Sequence, residues 1–91
     1  MPFTFSHSRE FQSQLEKFLK KEPSFRATVN RKISEIVESD LGGLQRFKTL
    51  SGEFKGFQRI HIGPRVMIFQ VKKDENHIIF RRIAHHDDAY K

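Results

Sequence analysis

The sequence predicts a small α+β domain in which an N-terminal strand and an αα-hairpin pack on one face of a small, mainly antiparallel β-sheet. Two observations predict this class. The first half carries two consecutive apolar stripes with helical spacing, and the second half carries short β-prone runs separated by turn residues. The chain has 91 residues and no internal repeat or linker, so we expect a single domain over residues 1–91.

The first helix is predicted over the segment "SREFQSQLEKFLKK", with Ser6 or Ser8 as its N-cap. Its apolar residues recur at i, i+4, i+7 and i+8, which is the stripe of an amphipathic helix. They are Phe11, Leu15, Phe18 and Leu19. This helix therefore has one apolar face to bury.

A second helix is predicted to begin at Pro23 and to end at Leu41-Gly42-Gly43, because proline favours the start of a helix and glycine its end. Its apolar stripe consists of Phe25, Val29, Ile33, Ile36 and Val37. Two such helices in succession form a hairpin that needs a flat apolar surface to cover.

Five β-prone runs supply that surface: "FTF", "RFKTL", "FQRIHI", "RVMIFQV" and "HIIFRRI". Turn residues separate the last four runs, which predicts hairpins. In "FQRIHI" the alternation places Ile60 and Ile62 on one face and Arg59 and His61 on the other. We expect one face to contact the helices and the other to carry charge, including Arg65.

The charge of the chain limits its partners. Seventeen basic and eleven acidic residues give a net charge of +6, and residues 45–91 hold ten of the basic and five of the acidic ones. The positive electrostatic field of such a chain favours binding to a nucleic acid, an acidic protein or an anionic membrane. The absence of cysteine excludes disulfides and thiolate zinc sites. No export signal or membrane-spanning run is evident, so a cytoplasmic protein without membrane contact is expected.

The pair Arg59 and His61, with Arg65, has two interpretations. The cations could neutralise a phosphate backbone while the histidine exchanges a proton near neutral pH. Alternatively, the charges simply solvate an uncovered sheet face. Spacing alone does not separate the two.

The terminal segment "AHHDDAY" has three interpretations: a metal site, a solvated tail, or the catalytic edge of a nuclease. Adjacent side chains of an extended segment point to opposite sides, and no helical i, i+4 histidine pair is present, so a metal site is disfavoured. Tyr90 favours an ordered end over a solvated tail.

The segment "RFKTLSGEFKGFQRIHIG", the βαα order and the chain length resemble the RelE/ParE family of type II toxin–antitoxin toxins. The resemblance covers nearly the whole chain and implies a RelE-like fold. It is closest to the RelE and YafQ types, which implies a ribosome-dependent mRNA endonuclease that inhibits translation. That chemistry is metal-free and needs no cofactor: a ribose 2′-hydroxyl attacks the adjacent phosphate.

The resemblance also implies roles for particular residues. His61 in "RIHIGP" resembles the H-x-x-P pattern of the YafQ type, and His86 with Tyr90 resembles the terminal H-x-x-x-F/Y arrangement, for which His85 is a competing position. The implied catalytic residues are His61, His86, Arg59, Arg65 and Tyr90. The implied RNA-binding residues are Lys48, Lys55, Arg81, Arg82 and His85. The turn before Arg65 is one residue shorter than the family's usual G-x-Y-R.

The implied partners are a cognate acidic antitoxin, the ribosome and mRNA, with assembly into a toxin–antitoxin heterotetramer. Two other functions stay open: a ParE-like inhibitor of DNA gyrase, and a non-toxic nucleic-acid-binding member of the family. His61 and His86 favour the nuclease, because a gyrase inhibitor needs no proton-transfer groups.

Overall fold

The computed structural model of the chain describes residues 3–39, 41–44, 48–49 and 56–87. The α+β class is confirmed. The strands are β1 (Thr4–His7), β2 (Lys48–Thr49), β3 (Phe57–Ile62), β4 (Arg65–Lys72) and β5 (His77–His85). The helices are α1 (Arg9–Lys21), α2 (Arg26–Val37) and the single turn α3 (Leu41–Leu44). None of these helices is long and apolar enough to cross a membrane.

The strands form one five-stranded sheet in the order β1-β5-β4-β3-β2. Strand β1 pairs with β5 in parallel, and the other neighbours are antiparallel. The helices cover one face, which we call the helix face, and the main core lies between them and it. The buried sheet residues of this core are Ile62, Met67, Phe69, Ile78, Phe80 and Ile83, and the buried helix residues include Phe11, Phe18, Val29, Ile33 and Ile36.

Helix α1 begins at the serine that the sequence offered as one of two caps. The Ser8 side chain accepts a hydrogen bond from the backbone N–H of Phe11 at 3.1 Å, which satisfies an otherwise unpaired donor of the first turn. The same hydroxyl donates to the carbonyl of Arg81 at 2.8 Å, and the Gln14 side chain accepts from the N–H of Ile83 at 2.9 Å. Helix α1 therefore closes the edge of β5 beyond the end of β1.

Helix α2 ends earlier than the glycines predicted. A short 3₁₀ turn over Pro23–Phe25 precedes it, and its last residue is Val37. The backbone N–H of Phe3 donates to the Val37 carbonyl at 2.8 Å, and the Ser39 hydroxyl donates to the Glu35 carbonyl at 2.7 Å. These two bonds satisfy the Val37 and Glu35 carbonyls, and the backbone N–H of Ser39 donates to the Ile36 carbonyl at 3.2 Å. Helix α2 therefore ends at Val37, and the LGGL segment forms a separate turn.

The predicted strand runs are present with small changes in length. Strand β3 has the predicted bounds, β4 and β5 extend one and two residues further than their runs, and β1 is displaced toward His7. Of the run "RFKTL", the described part is Lys48–Thr49. Strand β5 contains a bulge, because Phe69 pairs with Phe80 while its neighbour Ile68 pairs with Arg82, which leaves Arg81 as the extra residue.

We expect Ser8→Ala to lower the free energy of unfolding by about 1–2 kcal/mol, since it removes the cap of α1 and leaves the Arg81 carbonyl without its donor. The measurement is the midpoint of urea unfolding, compared at an unchanged dependence of the unfolding free energy on urea concentration. Ser13→Ala is the matched control, because Ser13 is an exposed residue in the middle of the same helix. Equal midpoints for the two variants would show that Ser8 does not anchor α1 to β5.

Candidate functional site

The sheet face opposite the helices carries the residues that the sequence marked for chemistry. Across β3, β4 and β5, one row of the register holds Arg59, Ile68 and Arg82, and the next holds His61, Val66 and Ala84. We call this surface the histidine face. It lies opposite the helix face because Ile60 and Ile62, which alternate with Arg59 and His61, belong to the main core.

His61 and His86 meet at the end of this face. Their rings stack with centroids 6.0 Å apart and planes at 20°, and both side chains are exposed. The separation is typical of a packed ring pair, so a phosphate does not fit between the ring faces. The nitrogen-bearing edges are therefore the parts that can contact a ligand.

The turn between β3 and β4 holds this pair together. The backbone N–H of His86 donates to the Pro64 carbonyl at 3.1 Å, which ties the residue after β5 to the two-residue turn Gly63–Pro64. Gly63 has a φ of 58°, and a Cβ built on it would lie 3.0 Å from the Phe25 ring. Glycine at this position lets the turn sit directly on the helical layer.

Arg65 lies on the other side of the sheet from the histidine pair, contrary to the expectation that it shares a face with Arg59 and His61. The two-residue turn pairs Ile62 with Arg65, so Arg65 takes the face of Ile62. Its guanidinium carbon lies 4.5 Å above the centre of the Phe18 ring. Its Nε is buried and has no hydrogen-bond partner among the described residues.

Arg81 and Arg82 lie on the histidine face and are both held by side chains of the protein. Arg81 donates to Gln70 Oε1 through Nε at 3.1 Å and through a terminal nitrogen at 2.7 Å. Arg82 Nε lies 2.6 Å from Glu10 Oε1, at the start of α1. The β5 bulge lets two consecutive arginines point the same way. Both guanidinium groups are thus oriented before any ligand arrives, and Glu10 partly neutralises the charge of Arg82.

His85 and His86 point to opposite faces, since His85 pairs with Arg65 across β4 while the ring of His86 stacks on His61. His85 lines a groove of about 480 Å³ on the helix face together with Arg65. Asp87 lies near both rings, with carboxylate oxygens 3.6 Å from His85 Nδ1 and 3.9 Å from His86 Nδ1. Its backbone N–H donates to His85 Nδ1 at 3.3 Å, so that nitrogen is an acceptor in the neutral ring.

Some of the predicted site residues fall outside the described part of the chain. Lys55, Asp88 and Tyr90 lie outside the described residues, and Lys48 is described only in its backbone, which pairs with Arg59. In the part of the chain that is described, no three histidine or acidic side chains are grouped as a metal site would require.

Two features of these surfaces were not predicted from the sequence. A small apolar cluster of Val66, Ile68 and Ala84, with Phe57 packed against it, lies at the centre of the histidine face between its charged residues. The groove on the helix face is lined by three lysines of α1: Lys17, Lys20 and Lys21. Their i, i+3, i+4 spacing in the sequence indicates that they lie together, because such residues share one side of a helix.

His7 lies away from this site. Burial against neighbouring side chains lowers the pKa of its imidazole, and its ring centroid lies 4.9 Å from that of Phe11. It lies on the edge strand β1. Two strands separate β1 from β3, which carries His61. His77, which bridges Thr4 and Ser6 at 2.7 and 2.9 Å, is likewise part of the β1–β5 contact.

Comparison with known proteins relates this arrangement to toxins. A family model described as the ParE toxin of the type II toxin–antitoxin system parDE matches residues 6–90. A search of curated proteins finds no match.

Three solved structures illustrate the similarity. The Escherichia coli DinJ–YafQ toxin–antitoxin complex has 14% identity over 100% of both chains, with a TM-score of 0.76. The RelBE2 toxin–antitoxin complex from Mycobacterium tuberculosis has 17% identity over 94% of this chain and 100% of that one, with a TM-score of 0.63. A conserved hypothetical protein from Helicobacter pylori has 24% identity over 93% and 96%, with a TM-score of 0.63. These likenesses confirm the RelE-like fold.

We expect Gly63→Ala to destabilise the protein more than Gly56→Ala. Both residues have a positive φ, of 58° and 89°, but only Gly63 would bring a Cβ against another described residue, Phe25. The backbone penalty of about 1–2 kcal/mol applies to both, and the contact adds to it at Gly63 alone. Urea unfolding measures the difference, and the imidazole NMR signals of His86 report whether the turn has moved. A Gly63→Ala protein as stable as Gly56→Ala, with unchanged His86 signals, would contradict this account of the turn.

Proposed function

This chain belongs to the ParE toxin family of type II toxin–antitoxin systems, and we propose that it acts by cleaving mRNA on the ribosome, which inhibits translation. The stacked pair His61 and His86 carries this proposal. Two exposed imidazoles at the end of one sheet face, beside a row of arginines, are suited to proton transfer at a phosphodiester.

The proposed reaction needs two proton transfers. One imidazole, in its neutral form, removes the proton of a ribose 2′-hydroxyl, and the 2′-oxygen forms a bond to the adjacent phosphorus. The bond from phosphorus to the 5′-oxygen breaks, and the other imidazole, in its protonated form, gives that oxygen a proton. The products carry a 2′,3′-cyclic phosphate and a 5′-hydroxyl.

The arginines of the histidine face supply the charge that this reaction requires. Negative charge on the non-bridging oxygens grows as the 2′-oxygen attacks, and fixed cations nearby stabilise it. Arg59 is two residues from His61 on the same face, and Arg82 lies in the same row as Arg59. We propose that Arg59 stabilises the transition state and that Arg81 and Arg82 bind the RNA backbone. The proposal also includes the predicted RNA-binding roles of Lys48 and Lys55 and the predicted catalytic role of Tyr90.

Arg65 has a different part in the proposal. Its guanidinium stacks on Phe18 on the helix face, so we assign it no direct contact with the reacting phosphate. His86 is favoured over His85 for proton transfer, because His86 is the one that stacks on His61.

A protein antitoxin follows from membership of the family, and two of the similar structures are of toxin–antitoxin complexes. These complexes support an assembly of toxin with antitoxin, and we propose a heterotetramer for this chain. The second candidate function is inhibition of DNA gyrase, which the ParE description of the matching family model favours.

We expect His61→Ala and His86→Ala each to reduce mRNA cleavage on ribosomes by about 10²- to 10⁴-fold, the usual contribution of a general acid or base. Primer extension on a translated mRNA measures the cleavage, after circular dichroism has shown that each variant is folded. Arg59→Ala should also reduce the rate strongly, through lost stabilisation of the transition state.

His7→Ala and His77→Ala are the matched controls, since both histidines lie at the β1 edge of the sheet. Their folded proteins should cleave at the wild-type rate. Wild-type cleavage by His61→Ala and His86→Ala would remove the histidines from the mechanism.

Assays of translation and of DNA gyrase with the same purified protein distinguish the two candidate functions. We expect the purified protein to stop protein synthesis in a cell-free translation mixture and to leave the supercoiling activity of purified DNA gyrase unchanged. Inhibition of supercoiling without mRNA cleavage would replace the nuclease with the ParE-like function.

A further inference from the structure

A small cavity on the histidine face lies beside the row of arginines. It has a volume of about 220 Å³ and lies between the start of α1 and the strands β3, β4 and β5. The residues that line it are Ser8, Glu10, Phe57, Ile68, Arg81 and Arg82. Phe57 comes four residues before His61 on β3, so the cavity lies about 13 Å along the strand from the histidine pair. The proton transfers proposed above do not use it.

Glu10 places a carboxylate in this cavity, on a face that is proposed to bind the RNA backbone. One of its oxygens, Oε1, accepts a hydrogen bond from Arg82 Nε at 2.6 Å. The other, Oε2, has no hydrogen-bond partner among the described residues, and the side chain is 51% exposed. An ionised carboxylate only accepts hydrogen bonds, and it repels phosphate. A ligand at Glu10 therefore has to present N–H or O–H donors.

Arg81 supplies the opposite kind of group. Its Nε and Nη2 both donate to Gln70 Oε1, while its Nη1 has no partner among the described residues. A ligand in the cavity thus has to donate to Glu10 and accept from Arg81. A phosphate is repelled by the carboxylate, and an ammonium group is repelled by the two guanidinium groups. A neutral nucleobase, which carries donors and acceptors together, meets both requirements.

Guanine has the pattern of donors and acceptors that fits this cavity best. Its N1–H and its 2-amino group lie side by side, so that one carboxylate accepts from both, and its O6 and N7 accept from a guanidinium. In adenine, cytosine and uracil, the N–H donor of the Watson–Crick edge lies next to an acceptor, which would face the lone pairs of the carboxylate. The partly exposed ring of Phe57 gives the flat base an apolar neighbour, and Ile68 forms the buried floor.

We propose that this cavity binds a guanine base of the message, with N1–H and the 2-amino group held by Glu10 and with O6 or N7 held by Arg81. The inference rests on the proposed function for RNA as the ligand. It adds contact with a base to the backbone contacts proposed for Arg81 and Arg82, since each guanidinium has several N–H donors. Because the cavity and the histidine pair share one face, the sites of cleavage should have a guanine at one fixed position nearby.

Titration with free nucleotides, followed by NMR of the isotope-labelled protein, tests the cavity without any cleavage. The probes are guanosine 5′-monophosphate and inosine 5′-monophosphate, which differ only in the 2-amino group, so that binding through the phosphate is the same for both. We expect the guanosine nucleotide to bind about three- to tenfold more tightly, because inosine loses one hydrogen bond to Glu10 at a partly exposed site. The largest shifts should fall on the backbone amides of Glu10, Ile68 and Arg82.

Two matched variants assign the preference to Glu10. Glu10→Ala should make the affinities for the two nucleotides equal, because the acceptor for the 2-amino group is gone. Glu16→Ala is the control: it removes the same charge from an exposed residue of the same helix, outside the lining of the cavity, and should keep the preference for guanosine. The NMR spectrum of each variant shows whether it is folded.

Equal affinity of the wild-type protein for both nucleotides would overturn the inference, because binding would then depend on the phosphate alone. A preference that survives in Glu10→Ala, or shifts confined to the groove on the helix face, would overturn it as well. Failure of the nuclease proposal leaves the titration unchanged, since the assay contains no ribosome and measures no cleavage. Conversely, mRNA cleavage at sites that share no guanine would contradict the guanine contact and leave the nuclease proposal standing.

Discussion

The two-residue turn between β3 and β4 is the constraint on which the arrangement of both surfaces depends. With Gly63 and Pro64 alone in the turn, Ile62 pairs with Arg65, and this register decides which residues enter the core and which do not. The Pro64 carbonyl also holds the backbone of His86, while Gly63 approaches the ring of Phe25. The histidine pair is therefore fixed by a turn that is itself fixed by the helical layer.

Strand β5 connects the two surfaces because it contributes to both faces. Its bulge sends Arg81 and Arg82 to the histidine face, and the restored alternation returns Ile83 to the core. Ser8, the cap of α1, and Gln14 within it close the free edge of β5, so the strand that leads into His86 is paired on both sides along most of its length. The rigid sheet thereby positions the two imidazoles, and the groove of α1 lies directly behind them.

Periodicity predicted most of the fold. Strict alternation gave the bounds of β3, and the apolar stripe with its serine cap gave α1, because each pattern reports directly which side of an element is buried. The face of Arg65 could not be predicted in the same way, since one residue more or less in the turn reverses it. Two consecutive arginines between Phe80 and Ile83 were a sign of the bulge, because a regular strand would have buried one of them. The meeting of His61 with His86 depended on the resemblance to known toxins, as these residues are distant in the sequence.

In the proposed mechanism, the histidine face cleaves RNA by attack of a ribose 2′-hydroxyl on the adjacent phosphate. The most direct test uses a ribosome-bound mRNA in which the nucleotide at the cleavage site is replaced by its 2′-deoxy form, with mass spectrometry of the fragment ends from the unmodified message. We expect fragments that end in a 2′,3′-cyclic phosphate, or the 3′-phosphate derived from it, and in a 5′-hydroxyl, with no cleavage at the deoxy position. Cleavage of the deoxy message at the normal rate, or fragments with a 5′-phosphate, would contradict it.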